Sequence, residues 1–438
     1  MLKKVKQRIE KSIWLYPTIY TLLALLLSFL VIAADSGRWI SLDQNIAGIF
    51  LTNKELAQEI LKIAAASLIT ITTFTFSTTM VVLTLYSSQF SPRTVENFLA
   101  DQNTMKALGV FMSGFVYSVV TLLFVRDAMV NSLVIAGTVA VIYLLVCLIR
   151  FTMYIHHVGS FIQTKNLVER LNQEARLRID EYEELLEKGK RMSDIRKVDT
   201  TYRLRVKSNQ PGYIQFVEYQ ALAEIGDKIE AIIIFEKVIG QYVTDETEIF
   251  SVCFLKEPKE DEGLPDRLRS LITIDKERTE LQDFNFTIQK IVEISLRAIS
   301  PGINDPNTAI HCLRIIGVLL SSLAVVDPGF LRLTNDQEKE AGIAFELIDF
   351  EKELYATYSQ IIHYGKQDVS VMISLVKSLR FIAEKASFDN FISIVRFLDY
   401  LWEKVDDVQM AKMDMQKLKH EKDEILALKE LRSMSLSR

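Results

Sequence analysis

The sequence predicts a mainly α membrane protein, with four transmembrane helices followed by a cytoplasmic α+β region made of a small β subdomain and a helical domain. Three observations carry this expectation. Four apolar stretches, at about 14–34, 61–86, 107–125 and 128–150, are each long enough to cross a hydrocarbon core roughly 30 Å thick as a helix. Beyond about residue 158, charged and apolar residues alternate as they do in a water-soluble chain. Between about 201 and 255 the hydrophobic period shortens from that of a helix towards that of a strand.

The first span follows Lys3, Lys4, Lys6, Arg8 and Lys11, which by the positive-inside bias puts the N-terminus in the cytoplasm. Four crossings return the chain to that side after Arg150, and the loop from Gln89 to Lys106 falls there too. A multi-pass protein of the cell membrane with both termini cytoplasmic is expected. A cleaved signal peptide would share the basic start, but the apolar run here exceeds the about 7–15 residues of such a segment. Trp14, Tyr16, Tyr20 and Trp39 flank the span as interfacial anchors. In the third span Gly109, Ser113 and Gly114 permit close helix packing, and in the fourth Gly137 and Thr138 do so. The transmembrane domain is thus read as residues 1–158.

The second span differs from the others. No charge interrupts it between Lys62 and Arg93, yet it is crowded with Ser and Thr. Wound at about 100° per residue, Ser67, Thr70, Thr73, Ser77, Thr84 and Ser88 fall within one broad sector. Thr72, Thr75 and Thr79 make a second sector roughly opposite. In one reading the hydroxyls bond their own i−4 carbonyls and let helices pack closely. In the other, the first sector lines a water-filled path at the axis of a homo-oligomer, with Gln89 and Arg93 at its cytoplasmic mouth. The absence of an ionisable residue leaves a proton relay or ion-coupled pump little to work with. Passive conduction or a structural role is favoured over active transport.

Composition narrows the partners. Lys plus Arg number 51 against 56 Asp plus Glu, a net charge of −5, so no basic field points to nucleic acid. The lipid bilayer, a second copy of the chain and a small anion or ion remain. Cys147, Cys253 and Cys312 lie far apart with no metal-ligand spacing, and are read as reduced, buried thiols. No metal and no cofactor are expected.

Residues 159–195 read as a connecting amphipathic helix that continues the fourth span, with Leu167, Val168, Leu171, Ala175 and Ile179 on one face. Residues 196–256 read as the small β subdomain. One strand pair flanks a turn at Asn209-Gln210-Pro211-Gly212, and a second surrounds Gly240. That second pair is similar to hairpins of biotinyl and lipoyl domains, but no lysine sits at the turn to carry a cofactor. Residues 264–438 read as the helical domain. There Ile288, Ile291, Val292, Leu296 and Ile299 mark an apolar face that stops at Ser300-Pro301-Gly302. Asp305 suits the N-cap of the next helix and Pro306 its first turn, with later breaks near Gly365 and Ser387.

Several of these segments carry a resemblance. They are Ser88-Gln89-Phe90-Ser91-Pro92-Arg93, Gly212-Tyr213-Ile214-Gln215, Arg278-Thr279 with Gln282-Asp283, and Ser300-Pro301-Gly302-Ile303-Asn304-Asp305-Pro306. Over nearly its whole length the chain resembles a bacterial family of predicted integral membrane proteins, domain-of-unknown-function family 2254. The resemblance implies a membrane location and this architecture, and leaves activity open.

The best-marked soluble cluster is Arg278, Gln282, Asp283, Arg297, Asn304 and Asp305, with Thr308 and His311 nearby. It reads either as an ion-pair network that fixes helix register or as a site for an anion, nucleotide or phospholipid headgroup. The chain shows no nucleophile elbow, P-loop, HExxH or His/Cys ligand set, so an enzyme is not expected. Two function classes follow. One is an oligomeric channel or permeation protein with the second span at its axis. The other is a non-transporting membrane scaffold or sensor whose Arg/Asp cluster binds an anionic ligand or a partner protein.

Overall fold

A computed structural model of the chain describes residues 14–36, 50–89, 101–125, 133–161, 163–193, 195, 202–258, 261–335, 340–406 and 408–436. The protein is mainly helical and divides into two units, Met1–Asn166 and Leu167–Arg438.

The first unit is a helical bundle of α1 (Leu15–Asp35), α2 (Lys54–Gln89), α3 (Gln102–Phe124) and α4 (Ala136–Phe161). Small residues bring the helices together as their positions predict. A Cβ on Gly109 would lie 2.8 Å from Tyr20, and one on Gly114 would lie 2.7 Å from Tyr143 and 2.9 Å from Leu68. One end of the bundle is closed by polar bonds. The Asp35 carboxylate accepts from the amides of Ile135 and Ala136 at 2.8 and 3.2 Å, so α1 caps α4 across the unit. Thr52 and Val134 exchange backbone hydrogen bonds beside it.

The outside of this bundle is apolar. Leu22, Leu26 and Phe29 on α1, Ile63, Phe74 and Val81 on α2, and Leu145, Leu148 and Ile149 on α4 are each at least 54% exposed. A belt of that extent is unfavourable against water and suits a bilayer. Five helices among the described residues are long and apolar enough to cross a membrane, α1 to α4 and a later one, α9 (Pro306–Leu323). In α9 56% of the apolar window is buried inside the fold, against 17–44% in the others.

The second unit holds two sheets and a helical layer. The strands are β1 (Lys190–Met192), β2 (Tyr202–Lys207), β3 (Gly212–Val217), β4 (Ala231–Phe235), β5 (Tyr242–Val243), β6 (Glu248–Phe254), β7 (Ile272–Asp275), β8 (Phe330–Leu333) and β9 (Gly342–Glu346). A six-stranded sheet runs β1-β8-β9-β4-β6-β2, antiparallel except for the parallel β4–β9 pair, and a three-stranded sheet runs β5-β3-β7. The helices are α5 (Thr164–Lys188), α6 (Tyr219–Lys228), α7 (Leu264–Ser270), α8 (Phe284–Ala298), α9, α10 (Phe350–Gly365), α11 (Val369–Lys385), α12 (Phe388–Asp406) and α13 (Lys412–Leu436). β4 is buried along its whole length, as the centre of a sheet covered on both faces requires. The breaks expected near Gly365 and Ser387 separate α10, α11 and α12.

Strand partners depart from the expected hairpins. β4 and β6 do pair around Gly240, but β2 and β3 on either side of the Asn209–Gly212 turn lie in different sheets. Pro211 offers no amide to close a hairpin there. Instead the amides of Ser208 and Asn209 donate to the carbonyls of Thr247 and Asp245, which directs β2 onto β6. The larger sheet also draws β1, β8 and β9 from outside 196–256. β8 and β9 are short apolar runs, and such runs cannot be told from helix by periodicity. α5 starts at Thr164 as a helix of its own, where continuation of the fourth span was expected.

Gly114→Ala is expected to lower the thermal midpoint of the detergent-solubilised protein, since overpacking costs about 1–3 kcal/mol. Gly159→Ala, whose Cβ would meet nothing within 4 Å, should leave it unchanged or slightly higher. Equal losses in both variants would contradict this packing account.

Candidate functional site

The hydroxyls of α2 divide between two faces. Thr70, Thr73, Ser77 and Thr84 are exposed on the outside of the bundle and Ser67 is half-buried. Thr75 and Thr79, from the opposite sector, are the ones turned inward. Ser88 and Gln89 lie in the last turn of α2, where side chains are not described, and Arg93 lies outside the described residues. The expected stripe therefore lines nothing inside its own bundle. Thr70, Thr72, Thr73 and Thr84 donate to the carbonyls of Ala66, Leu68, Ile69 and Met80 at 2.7–3.0 Å. Each hydroxyl proton is thereby satisfied within the helix, and the oxygen lone pairs remain outward.

Inside the bundle, tyrosines supply the polar contacts. Tyr154 donates to the Thr75 carbonyl at 3.0 Å and shares a hydrogen bond with the Thr79 hydroxyl at 3.0 Å. Tyr143 meets Ser113 at 2.7 Å and stacks on Tyr117 with centroids 5.8 Å apart. His157 contacts Asp101 at 2.9 Å, and Asp101 also caps α3 through Thr104.

In the second unit the expected cluster separates into two groups. Asp283 is the N-cap of α8 and accepts from the Phe286 amide at 2.9 Å. Arg278 grips the same carboxylate with two donors, Nε at 2.7 Å and Nη2 at 3.2 Å, while Nη1 reaches Gln289 at 2.9 Å. Gln282 sits alongside. Its amide accepts from the backbone nitrogen of Val217 at 2.8 Å and donates to that residue's carbonyl at 3.1 Å, as a strand neighbour would. Arg297 lies at the far end of α8, about 21 Å away at 1.5 Å per residue. Asn304 is exposed in a left-handed turn (φ 51°), and Asp305 caps α9 through the Thr308 amide and hydroxyl. The capping roles of Asp305 and Pro306 follow the sequence reading; their juxtaposition with Arg278 does not occur.

Three further charges complete the first group. Lys290, fully buried, pairs with Glu280, and its ammonium lies 4.8 Å from the Phe286 ring centroid. Arg278 lies 5.1 Å from the same ring. Glu353 on α10 is buried nearby, and burial together with the Asp283 charge pushes its carboxyl up to about 7. Burial also raises Asp283, against the lowering effect of Arg278. Neither Lys290 nor Glu353 was legible in the sequence: Lys290 falls opposite the apolar face of Ile288, Ile291, Val292 and Ile299, and nothing local marks Glu353. Arg278 and Lys290 thus face three carboxylates, so one negative charge is uncompensated if all ionise. With Arg278 already engaged at Nε, Nη1 and Nη2, this group is furnished as a structural knot. Gly240 (φ +81°) lets the β4–β5 loop run against it, since a Cβ there would collide with Asp283.

Removing Arg278 strands a buried carboxylate, and Arg278→Ala is expected to destabilise the fold by about 3 kcal/mol in chemical denaturation. Glu353 gives a pH signature. Folding raises its pKa from 4.5 to about 7, so its favourable contribution is complete below 4.5 and is lost as pH rises through 7. Glu353→Gln should therefore exceed the wild type in thermal stability at pH 8 and show a flatter profile between pH 5 and 8. Parallel profiles would contradict the assignment.

The chain is similar, at 26% identity over 341 aligned residues, to an uncharacterized protein of Mycobacterium bovis and to one of Mycobacterium tuberculosis. The alignments cover 75% of this chain and 64% of each relative, so the chain spans less than two thirds of their length. No solved structure matches. The profile of the family described as predicted membrane protein (DUF2254) matches residues 10–380, and the chain belongs to that family.

Proposed function

We propose that this protein crosses the cell membrane four times, with both termini cytoplasmic, and assembles through α2 into a homo-oligomer whose axis is a passive permeation path. The observation that carries this reading is the outward hydroxyl ladder Thr70, Ser77, Thr84, at steps of seven residues on the part of α2 that carries no charge. A seven-residue repeat follows one seam of a left-handed helix pair, and small hydroxyl residues let neighbouring backbones approach. The Thr70 and Thr84 hydroxyls, having donated their protons to the helix, keep lone pairs that accept from water or meet an ion.

Four crossings rather than five are supported by the setting of α9. It starts from a side-chain cap, carries Arg314, and buries most of its apolar window within the second unit. The basic residues at 3–11 support a cytoplasmic N-terminus. The second unit serves as the assembly or gating part, and the Arg278–Asp283 knot is its structural anchor. The scaffold reading, with an anion held at that knot, is disfavoured because Arg278 already holds Asp283 and Gln289.

Oxidative cross-linking in native membranes tests the assembly. Ser77→Cys should give disulfide-linked dimers, whereas Ala64→Cys, on the buried face of α2, should not. Purified protein in liposomes should pass small ions or solutes, and Ser77→Leu should slow that flux. A monomer in membranes, or no flux under any ionic or osmotic gradient, would overturn the proposal.

A further inference from the structure

Within the second unit, beside the Arg278–Asp283 knot, lies a cavity of about 200 Å³ that no part of the proposed permeation path uses. It is enclosed by α5, the start of α6, the β4–β5 loop, the end of β9 and the first turn of α8. That volume exceeds what one or two trapped waters need and suits a ring-sized molecule.

Its walls are aromatic. Tyr219 lies against Phe345 with centroids 4.4 Å apart, and Tyr182 lies against Phe284 at 5.3 Å. Such walls favour a flat, polarisable body over a branched aliphatic one.

Three donors reach the cavity, from Arg178, Tyr182 and Lys237, beside the oxygens of Asn285 and of three carboxylates. The Nε of Arg178 is buried and has no hydrogen-bond partner, although Nη1 of the same side chain pairs with Glu181 at 2.6 Å. The Tyr182 oxygen accepts from the Ile348 amide at 3.2 Å, which leaves its own proton to donate. Burial pushes the Tyr182 hydroxyl up to about 12, so that proton is retained at neutral pH. Lys237 is half-buried on the rim and makes no ion pair among the described residues. Asn285 adds a side-chain oxygen that is also buried without a partner. The carboxylates around the rim are accounted for. Glu181 is taken by Arg178, Asp283 by Arg278, and Glu346 is exposed and acts on Lys352. A buried donor left unmet costs about 1–3 kcal/mol, so an acceptor brought in by a ligand would recover part of that cost.

We propose that this cavity binds a small aromatic anion, a flat ring carrying a carboxylate or phosphate, with the ring between the Tyr182 and Tyr219 walls and the anionic group on Arg178, Tyr182 and Lys237. The inference does not depend on the permeation path, because it concerns residues of the second unit alone.

Isothermal titration of the full chain in nanodiscs, with empty nanodiscs as blank, tests it using 1-naphthoate, 1-naphthyl phosphate, AMP and inorganic phosphate. Saturable binding of naphthoate or AMP, at one per chain, supports the proposal, and 1-naphthyl phosphate set against 1-naphthoate, which shares its ring, identifies phosphate or carboxylate as the preferred anion. Lys237→Ala should weaken that binding about tenfold, the loss of one charge-assisted contact. Leu185→Trp, which fills the cavity, should abolish it, with circular dichroism and the thermal midpoint confirming that each variant is folded. Were Leu185→Trp to misfold, the half-exposed Lys237 variant alone decides. No saturable binding at millimolar ligand overturns the proposal. So does phosphate binding as tightly as AMP and naphthoate, or binding that Lys237→Ala leaves unchanged.

Discussion

A polar group that this chain removes from water is costly unless it finds a partner inside the protein, and much of both units is arranged by that requirement. In the bundle the surroundings offer little, so threonines of α2 return their protons to their own helix and tyrosines of α3 and α4 cross to neighbouring backbone or hydroxyl oxygen. Asp35 survives at the end of α1 because two amides at the start of α4 receive it. The same rule explains why α4 starts where it does. Its first amides are met by a residue about 100 positions earlier, a cap that no local motif announces.

In the second unit the requirement produces the knot around α8. A helix start has orphan amides, Asp283 answers one of them, and the buried carboxylate then needs a cation. Arg278 supplies it, and the glycine at 240 gives both room. Lys290 repeats the logic about two turns further on, with Glu280 as its partner. Phe286 lies between the two cations and lends its ring to both. Glu353 is buried beside the Asp283 carboxylate, and burial with that neighbouring charge is why its carboxyl holds a proton so readily. Two of the buried atoms left without a partner, Arg178 Nε and Asn285 Oδ1, belong to residues that line an open cavity.

Helices were the most legible part of the chain. Their 3.6-residue period, the Asp305-Pro306 start of α9 and the breaks near Gly365 and Ser387 are local features, and local physics sets them. Strand pairing was legible only in part: β4 and β6 pair around Gly240 as expected. β2 and β3 look like the arms of a hairpin, but their partners are chosen by hydrogen bonds to Thr247 and Asp245 and by the sheet to which β6 belongs. The candidate cluster was half legible for the same reason. Arg278, Gln282 and Asp283 are close in sequence and meet at the start of α8, whereas Arg297 and Asp305 are carried away along its axis.

The hydroxyl stripe marks the boundary between the two kinds of information. The sequence alone determined that α2 is long, uncharged over its apolar part and divided into two hydroxyl sectors, because composition and helical period are properties of the segment itself. Which sector turns inward depended on the rest of the bundle. Leu61, Ala64 and Leu68 bury against α3 and α4, and the helix rotates to place them there. That rotation carries Thr75 and Thr79 to Tyr154 and leaves Thr70, Ser77 and Thr84 facing out. Apolar burial, a tertiary quantity, decided the orientation of a pattern that the segment could only propose.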